Sequence, residues 1–146
     1  MINENIKVTG DVCIKVFDEA GNVKDERVIK NLVVSVGKTF IASRMVGVAA
    51  NVMSHMAIGS SSTSPAAADT GLGGELGRVA LGSSSASGAV ATYTASFPAG
   101  TGTGAVVEAG IFNAASAGTM LCRTTFAVVN KGANDGMSVT WTITVS

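Results

Sequence analysis

The sequence predicts a mainly β protein: an antiparallel β-sandwich or barrel with one short α-helix and an N-terminal β-hairpin. Short β-type runs recur in the second half of the chain at the spacing typical of such folds, at residues 90–97, 105–112, 119–129 and 137–145. The segments between them are rich in Gly, Ser, Ala and Thr. Hydrophobic residues make up 47% of the chain but aromatic residues only 5%, so we expect a core built from aliphatic side chains.

The length of 146 residues fits a single domain, residues 1–146. Within it we expect residues 1–34 to form an N-terminal arm or hairpin and residues 48–146 to form the main β-sandwich. The hairpin prediction rests on alternation in the first strand, where one face carries Val12, Ile14 and Val16. A turn-rich cluster follows at residues 18–22, and a returning extended segment at residues 23–34 is broken by Asn31.

The one predicted helix covers about residues 36–46. Ser35 is a suitable N-cap and Gly47 a suitable C′ residue. We expect one apolar stripe on this helix, formed by Phe40, Ile41, Ala42 and Met45.

Further along, residues 55–59 are typical of a buried strand and residues 60–71 of an exposed loop. Residues 82–88 are expected to be a hairpin loop, and residues 130–136 a turn. The last strand alternates cleanly, which places Trp141 on its buried face. We expect the core to include Trp141, Phe112 and Ile111.

Charged residues make up only 14% of the chain, and 10 Lys and Arg balance 10 Asp and Glu. The absence of a basic stripe argues against direct nucleic-acid binding. The first residues lack the pattern of a signal peptide, and the most apolar stretch, residues 32–56, is interrupted by Lys38 and Arg44. We therefore expect synthesis in the cytoplasm and no membrane span. A surface this poor in charge favours an oligomer, because such areas usually become subunit contacts.

The chain has few residues of the types that act in catalysis or bind metals, so we expect no enzyme, no cofactor and no metal site. His55 is the single histidine, and Cys13 and Cys122 lack metal-type spacing. The two cysteines are expected to be small buried hydrophobes rather than a disulfide. Residues 100–105 fit a relaxed G-x-G-x-x-A pattern, but a β-type run follows where a nucleotide site needs a helix.

Isolated charges in weakly charged strands are expected to be paired, because burying one alone is costly. Glu75 should pair with Arg78, and Glu108 with Arg123 or Arg78. A catalytic pair of Glu75 with Glu108, as in glycosidases, is less favoured because one Trp and one Tyr give little support for a sugar cleft.

Several segments together resemble a family of small virion structural proteins of tailed bacteriophages. The likeness covers nearly the whole chain and is carried by residues 31–34, 41–45, 55–59, 69–78, 108–113, 120–123 and 129–131, and by the last Trp-containing strand. The resemblance implies a head decoration (cement) protein, often trimeric, on the outside of the capsid. It equally fits a tail or tail-fibre adaptor.

From this resemblance we expect a non-enzymatic protein of the virion that binds between capsomers and stabilises the head. Its partners would be copies of itself, as a homotrimer, and the major capsid protein or another virion protein. The candidate contact elements are residues 1–8 and 60–71, which include Ile2, Ile6, Val8, Ser62 and Pro65. A receptor- or carbohydrate-binding module is the alternative from a different class, with thin support from Trp141 and Tyr93.

Overall fold

Two five-stranded antiparallel sheets form a sandwich-like arrangement in the computed structural model, which describes residues 4–146. In chain order the elements are β1 (Val8–Phe17), β2 (Val23–Lys30), β3 (Leu32–Val33), α1 (Ser35–Met45), β4 (His55–Gly59), β5 (Glu75–Ala80), β6 (Ser83–Ser87), β7 (Val90–Phe97), β8 (Gly104–Phe112), β9 (Met120–Lys131) and β10 (Gly136–Val145). The first sheet has the order β2-β1-β10-β7-β6 and the second the order β3-β9-β8-β4-β5. The predicted fold class is confirmed.

The main core lies between the sheets and is centred on β10. Val139, Trp141 and Ile143 are at most 5% exposed, as the alternation of this strand predicts. Ile111 joins them from β8. Phe112 belongs to a smaller cluster on the other side of the second sheet, with Val34, Ala57 and Met120.

The N-terminal hairpin is part of the sandwich. Strand β1 pairs along its whole length with β10, with Val12 opposite Trp141, and its Val12, Ile14 and Val16 are buried in the core. After Asn31 the chain crosses to the second sheet, where β3 pairs with β9. The predicted N-terminal hairpin is present as β1 and β2, and β1 is an interior strand of the first sheet, between β2 and β10.

Helix α1 begins one residue earlier than expected and lacks the expected cap. Val34 is the N-cap, no side chain caps the helix, and the N–H of Ser35 donates to the carbonyl of Ala67. At the other end Gly47 has φ 70° and donates its N–H to Arg44, which confirms its predicted role as C′.

The apolar stripe predicted for α1 is only half correct. Phe40 and Ile41 pack against the main core, but Ala42 and Met45 face solvent, and Met45 is 84% exposed. The buried helical residue is Gly37, where a Cβ atom would overlap the backbone of Leu121 on β9. Helix α1 therefore contacts the sheet through its smallest residue. A pattern of large apolar side chains does not reveal this contact.

Residues 82–88 were expected to be a loop, and this prediction is wrong. Residues Ser83–Ser87 form strand β6, which pairs with β7 across the two-residue turn Gly88 and Ala89. All five β6 side chains are exposed. The strand exists because β7 offers an unpaired edge, since serine itself contributes little to strand formation.

Candidate functional site

A buried carboxylate holds the long loop between β4 and β5. Glu108 of β8 is 0% exposed on the outer side of the second sheet. Its Oε1 accepts the N–H groups of Ser61 at 3.1 Å and Gly74 at 2.7 Å, and its Oε2 accepts that of Gly73 at 3.0 Å. The expected loop is thus present, but both of its ends are fixed from within the same chain.

Arg123 of β9 completes this network. Its Nε and Nη2 donate to Glu108 Oε2 at 3.1 and 2.9 Å, and its Nη1 donates to Asp69 Oδ2 at 3.1 Å. The register of β8 and β9 places Arg123 opposite Gly110, so Glu108 is its diagonal neighbour on the same face. Of the two partners expected for Glu108, the structure places Arg123 there. The Glu108 carboxylate accepts five N–H donors and so links the loop to the second sheet.

Arg78 of β5 holds a second loop. Its Nη2 lies 2.6 Å from Glu75 Oε1, as expected for this pair. Its Nη1 also donates to the carbonyls of Ala114 and Ala117 at 3.0 and 2.9 Å. The guanidinium carbon lies 3.8 Å from the centre of the Phe112 ring. Arg78 thereby fixes the loop between β8 and β9.

A third network, which the sequence did not predict, ties the connections between the sheets. The ammonium of Lys131, a residue 1% exposed, donates to the carbonyls of Pro98 at 2.9 Å and Asp135 at 2.7 Å. The Asp135 carboxylate accepts the ammonium of Lys24 at 2.6 Å and the N–H of Gly132 at 2.7 Å. Every residue has a backbone carbonyl, so a sequence pattern does not show which carbonyls accept a hydrogen bond. The sequence predicted only the turn at residues 130–136 in this region.

The surroundings shift two pKa values in this third network. Burial lowers the pKa of Lys131 below its ordinary value, because the charged form loses hydration. The hydrogen bond from Lys24, followed by that from the N–H of Gly132, lowers the pKa of Asp135. Both changes have structural causes that lie within the network.

The conventional catalytic and metal-binding residues do not converge. The Nδ1 atom of His55 lies 2.8 Å from Oγ of the adjacent Ser54, and among residues 4–146 no carboxylate is hydrogen-bonded to the His55 ring. In the same residues no group of three or more His, Cys, Asp or Glu side chains could hold a metal ion. The geometry of a Ser–His–acid triad is therefore missing from the described part of the chain.

Both cysteines are free. Cys122 lies in the core, and burial raises its pKa above the ordinary value. Cys13 is half-buried on the outer side of β1, so the expectation of burial holds for Cys122 but not for Cys13. The pairing of Cys13 with β10 and of Cys122 with β8 places them in different sheets.

The three networks include every charged side chain after Arg44: Asp69, Glu75, Arg78, Glu108, Arg123, Lys131 and Asp135. Residues 45–68 and 79–107 contain no Asp, Glu, Lys or Arg at all. The remaining charges lie on β1, β2, α1 and the segments beside them. Strands β6 and β7 therefore carry no charged side chain, whereas β2, at the opposite edge of the first sheet, carries five.

Apolar side chains are also exposed directly after α1. Val46, Val48 and Val52 are 79%, 51% and 61% exposed. Val52 borders a groove of about 260 Å³ that Ser84, Ala86 and Tyr93 also line, so Val52 lies beside β6. We call Val52 together with β6 the neutral surface. An exposed apolar side chain beside an uncharged edge strand is suited to contact between proteins.

The candidate contact elements lie in different surroundings. Ile6 is 80% exposed and, with half-buried Val8, borders a groove along α1. Ser62 is exposed and Pro65 half-buried in the loop that Glu108 holds. Ile2 lies outside the described residues.

Comparisons with family models, curated proteins and solved structures found no match for this chain. Among residues 4–146 there is no helix with the length and apolar character needed to cross a membrane.

Proposed function

We propose that this chain is a non-enzymatic structural protein of a bacteriophage virion, a decoration protein that binds between capsomers as a trimer and stabilises the head. The observation that carries the proposal is the neutral surface. Charged side chains after Arg44 are engaged in internal networks, while Val52 remains exposed beside the uncharged edge strand β6. Such a surface suits burial against other subunits.

The internal networks support a role in assembly for a second reason. Glu108, Arg78 and Lys131 each fix a loop or connection with backbone hydrogen bonds. Rigid loops lower the entropy lost when a protein docks, which favours binding. A symmetric oligomer then multiplies modest contacts through avidity.

Binding to purified capsids tests the proposal. The protein should bind expanded heads and not immature ones, and light scattering should give the mass of a trimer. Binding to tails alone would replace the head role with that of a tail or fibre adaptor. A monomer at micromolar concentration would contradict the trimer.

Matched valine substitutions test the surface itself. Val52→Lys places a charge on the neutral surface and should reduce capsid binding about tenfold, which corresponds to roughly 1.4 kcal/mol. Val28→Lys is the control, because Val28 is 76% exposed on the charged strand β2. Equal losses from both substitutions would contradict the role of the neutral surface.

The carbohydrate-module alternative has less support. Trp141 is 0% exposed, and Tyr93 is half-buried. Sugar-binding sites need exposed aromatic faces, so neither ring is suited to stacking on a ligand.

A further inference from the structure

An apolar cavity of about 250 Å³ lies between the inner side of the first sheet and helix α1. Strands β1, β6, β7 and β10 line it on the sheet side, Phe40 and Ile41 line it from α1, and Leu121 lines it from β9. Among the described residues around this cavity none is charged, and only Tyr93 has a polar side chain. An apolar cavity of about 150 Å³ is enough to bind benzene, so this cavity has room for a small apolar group.

The groove along α1 that Ile6 and Val8 border adjoins this cavity. It has a volume of about 490 Å³ and shares Val8 and Ile41 with the cavity. Lys7 and Lys38 line the groove, and none of its described lining residues is acidic. The joint volume lies within the range of roughly 300–1,000 Å³ that is typical of small-molecule sites.

The two lysines of the groove differ from most other cations of the chain, because they have no acidic partner within residues 4–146. Five Lys and Arg side chains form ion pairs there: Lys24, Arg27, Lys30, Arg78 and Arg123. Arg44 and Lys131 donate to backbone carbonyls. Of the three that remain, Lys7, Lys15 and Lys38, two line the groove. The groove therefore presents positive charge that the described part of the protein does not neutralise.

We propose that the cavity and the groove form one binding site for a fatty acid. The aliphatic chain occupies the cavity, where contact with Phe40, Ile41 and Ile143 removes it from water. The carboxylate lies in the groove, within reach of the long side chains of Lys7 and Lys38. An apolar cavity that adjoins a cationic groove selects a ligand with an apolar chain and an anionic head.

This site goes beyond the proposed capsid role and does not depend on it. Val52 of the neutral surface lines neither the cavity nor the groove along α1. Capsid binding of Val52→Lys and fatty-acid binding of the variants below are therefore separate measurements, and either proposal can fail alone.

Chain length tests the cavity. Isothermal titration calorimetry should show that decanoate, kept below its micelle concentration, binds the purified protein. Octanoate should bind roughly 15-fold more weakly, because it lacks two methylene groups and each contributes roughly fourfold when buried. No binding of decanoate, or equal affinities for the two acids, would overturn the proposal.

A substitution that fills the cavity tests its place in the fold. Ala91 lines the cavity and lies opposite Ile143 on β10. Ala91→Leu adds volume there and should weaken decanoate binding about tenfold, as expected when a ligand chain loses the equivalent of two buried methylene groups. Circular dichroism confirms that the variant is folded, and wild-type affinity in the folded variant would overturn the proposal.

Charge variants test the carboxylate site. A double variant with Lys7→Gln and Lys38→Gln should bind decanoate about five- to tenfold more weakly and 1-decanol with unchanged affinity. The control carries Lys15→Gln and Lys30→Gln, which remove the same charge from β1 and β2 outside the groove. This control should bind decanoate as the wild type does. Equal losses in the two double variants, or wild-type binding of 1-decanol as tight as that of decanoate, would overturn the proposal.

Discussion

The guanidinium of Arg123 lies directly against the carboxylate of Glu108, with Nε and Nη2 at 3.1 and 2.9 Å from the same oxygen atom. Both residues are at most 2% exposed, beneath the loop that connects β4 and β5. The pair therefore links the second sheet to a loop that has little apolar surface of its own.

Glu108→Gln should lower the free energy of unfolding by about 3–5 kcal/mol, because it leaves the buried Arg123 without its main counter-charge. Urea denaturation measures this change. Glu75→Gln is the control: Glu75 is paired with Arg78 but its side chain is 36% exposed, so the expected loss is about 0–1 kcal/mol. Similar losses at both positions would contradict the role given to Glu108.

Trp141→Ala should cost about 3–5 kcal/mol in the free energy of unfolding, because Trp141 is fully buried at the centre of the main core. Trp141→Phe should cost clearly less. The indole N–H has no hydrogen-bond partner among residues 4–146, so phenylalanine removes volume without breaking a hydrogen bond. Thermal and urea unfolding compare the variants, and a phenylalanine variant as unstable as the alanine variant would contradict this interpretation.

Gly37→Ala should lower the free energy of unfolding by about 1–3 kcal/mol, although alanine normally favours a helix. The added methyl group meets the carbonyl of Leu121, so α1 must move away from β9. Lys38→Ala, at the next and exposed position of α1, should leave stability nearly unchanged. A stabilising Gly37→Ala would mean that helix and sheet are not in close contact.

Asp135 should make stability depend on pH in the acidic range. Its pKa is lowered in the folded protein, mainly by the hydrogen bond from Lys24, below the ordinary value of about 3.9. Its contribution is therefore fully present above that ordinary value and is lost as the pH falls through the lower, folded pKa.

Unfolding measured between about pH 2 and pH 6 checks this expectation. The Asp135→Asn variant should show a weaker acid dependence than the wild type. Lys24→Ala should raise the pKa of Asp135 towards its ordinary value, as NMR titration of the carboxyl group would detect. An unchanged acid profile in Asp135→Asn would contradict the assignment.

Alternation and turn signals predicted most of the sandwich. Strand β10 alternates so regularly that its buried face could be named residue by residue, and residues 55–59 match β4 as predicted. The prediction is correct for these strands because one alternating pattern determines both their secondary structure and the side that faces the core.

The errors arose where tertiary contacts override local preference. Strand β6 has no apolar alternation and exists through its pairing with β7, and Gly37 is buried because the backbone of β9 lies close by. Neither partner is near in sequence. The pairing of Glu108 with Arg123 could be predicted because β8 and β9 are consecutive strands. The contacts of Lys131 could not be predicted, because any residue can supply the carbonyl oxygens that it binds.

The pairing of β1 with β10 has a consequence for biosynthesis. The chain must leave the ribosome at least as far as residue 141 before Val12 can meet Trp141. Until then Val12, Ile14 and Val16 have no partner strand on that side, and transiently exposed apolar strands of this kind favour aggregation. Contacts this distant along the chain also slow folding, which predicts refolding in milliseconds to seconds.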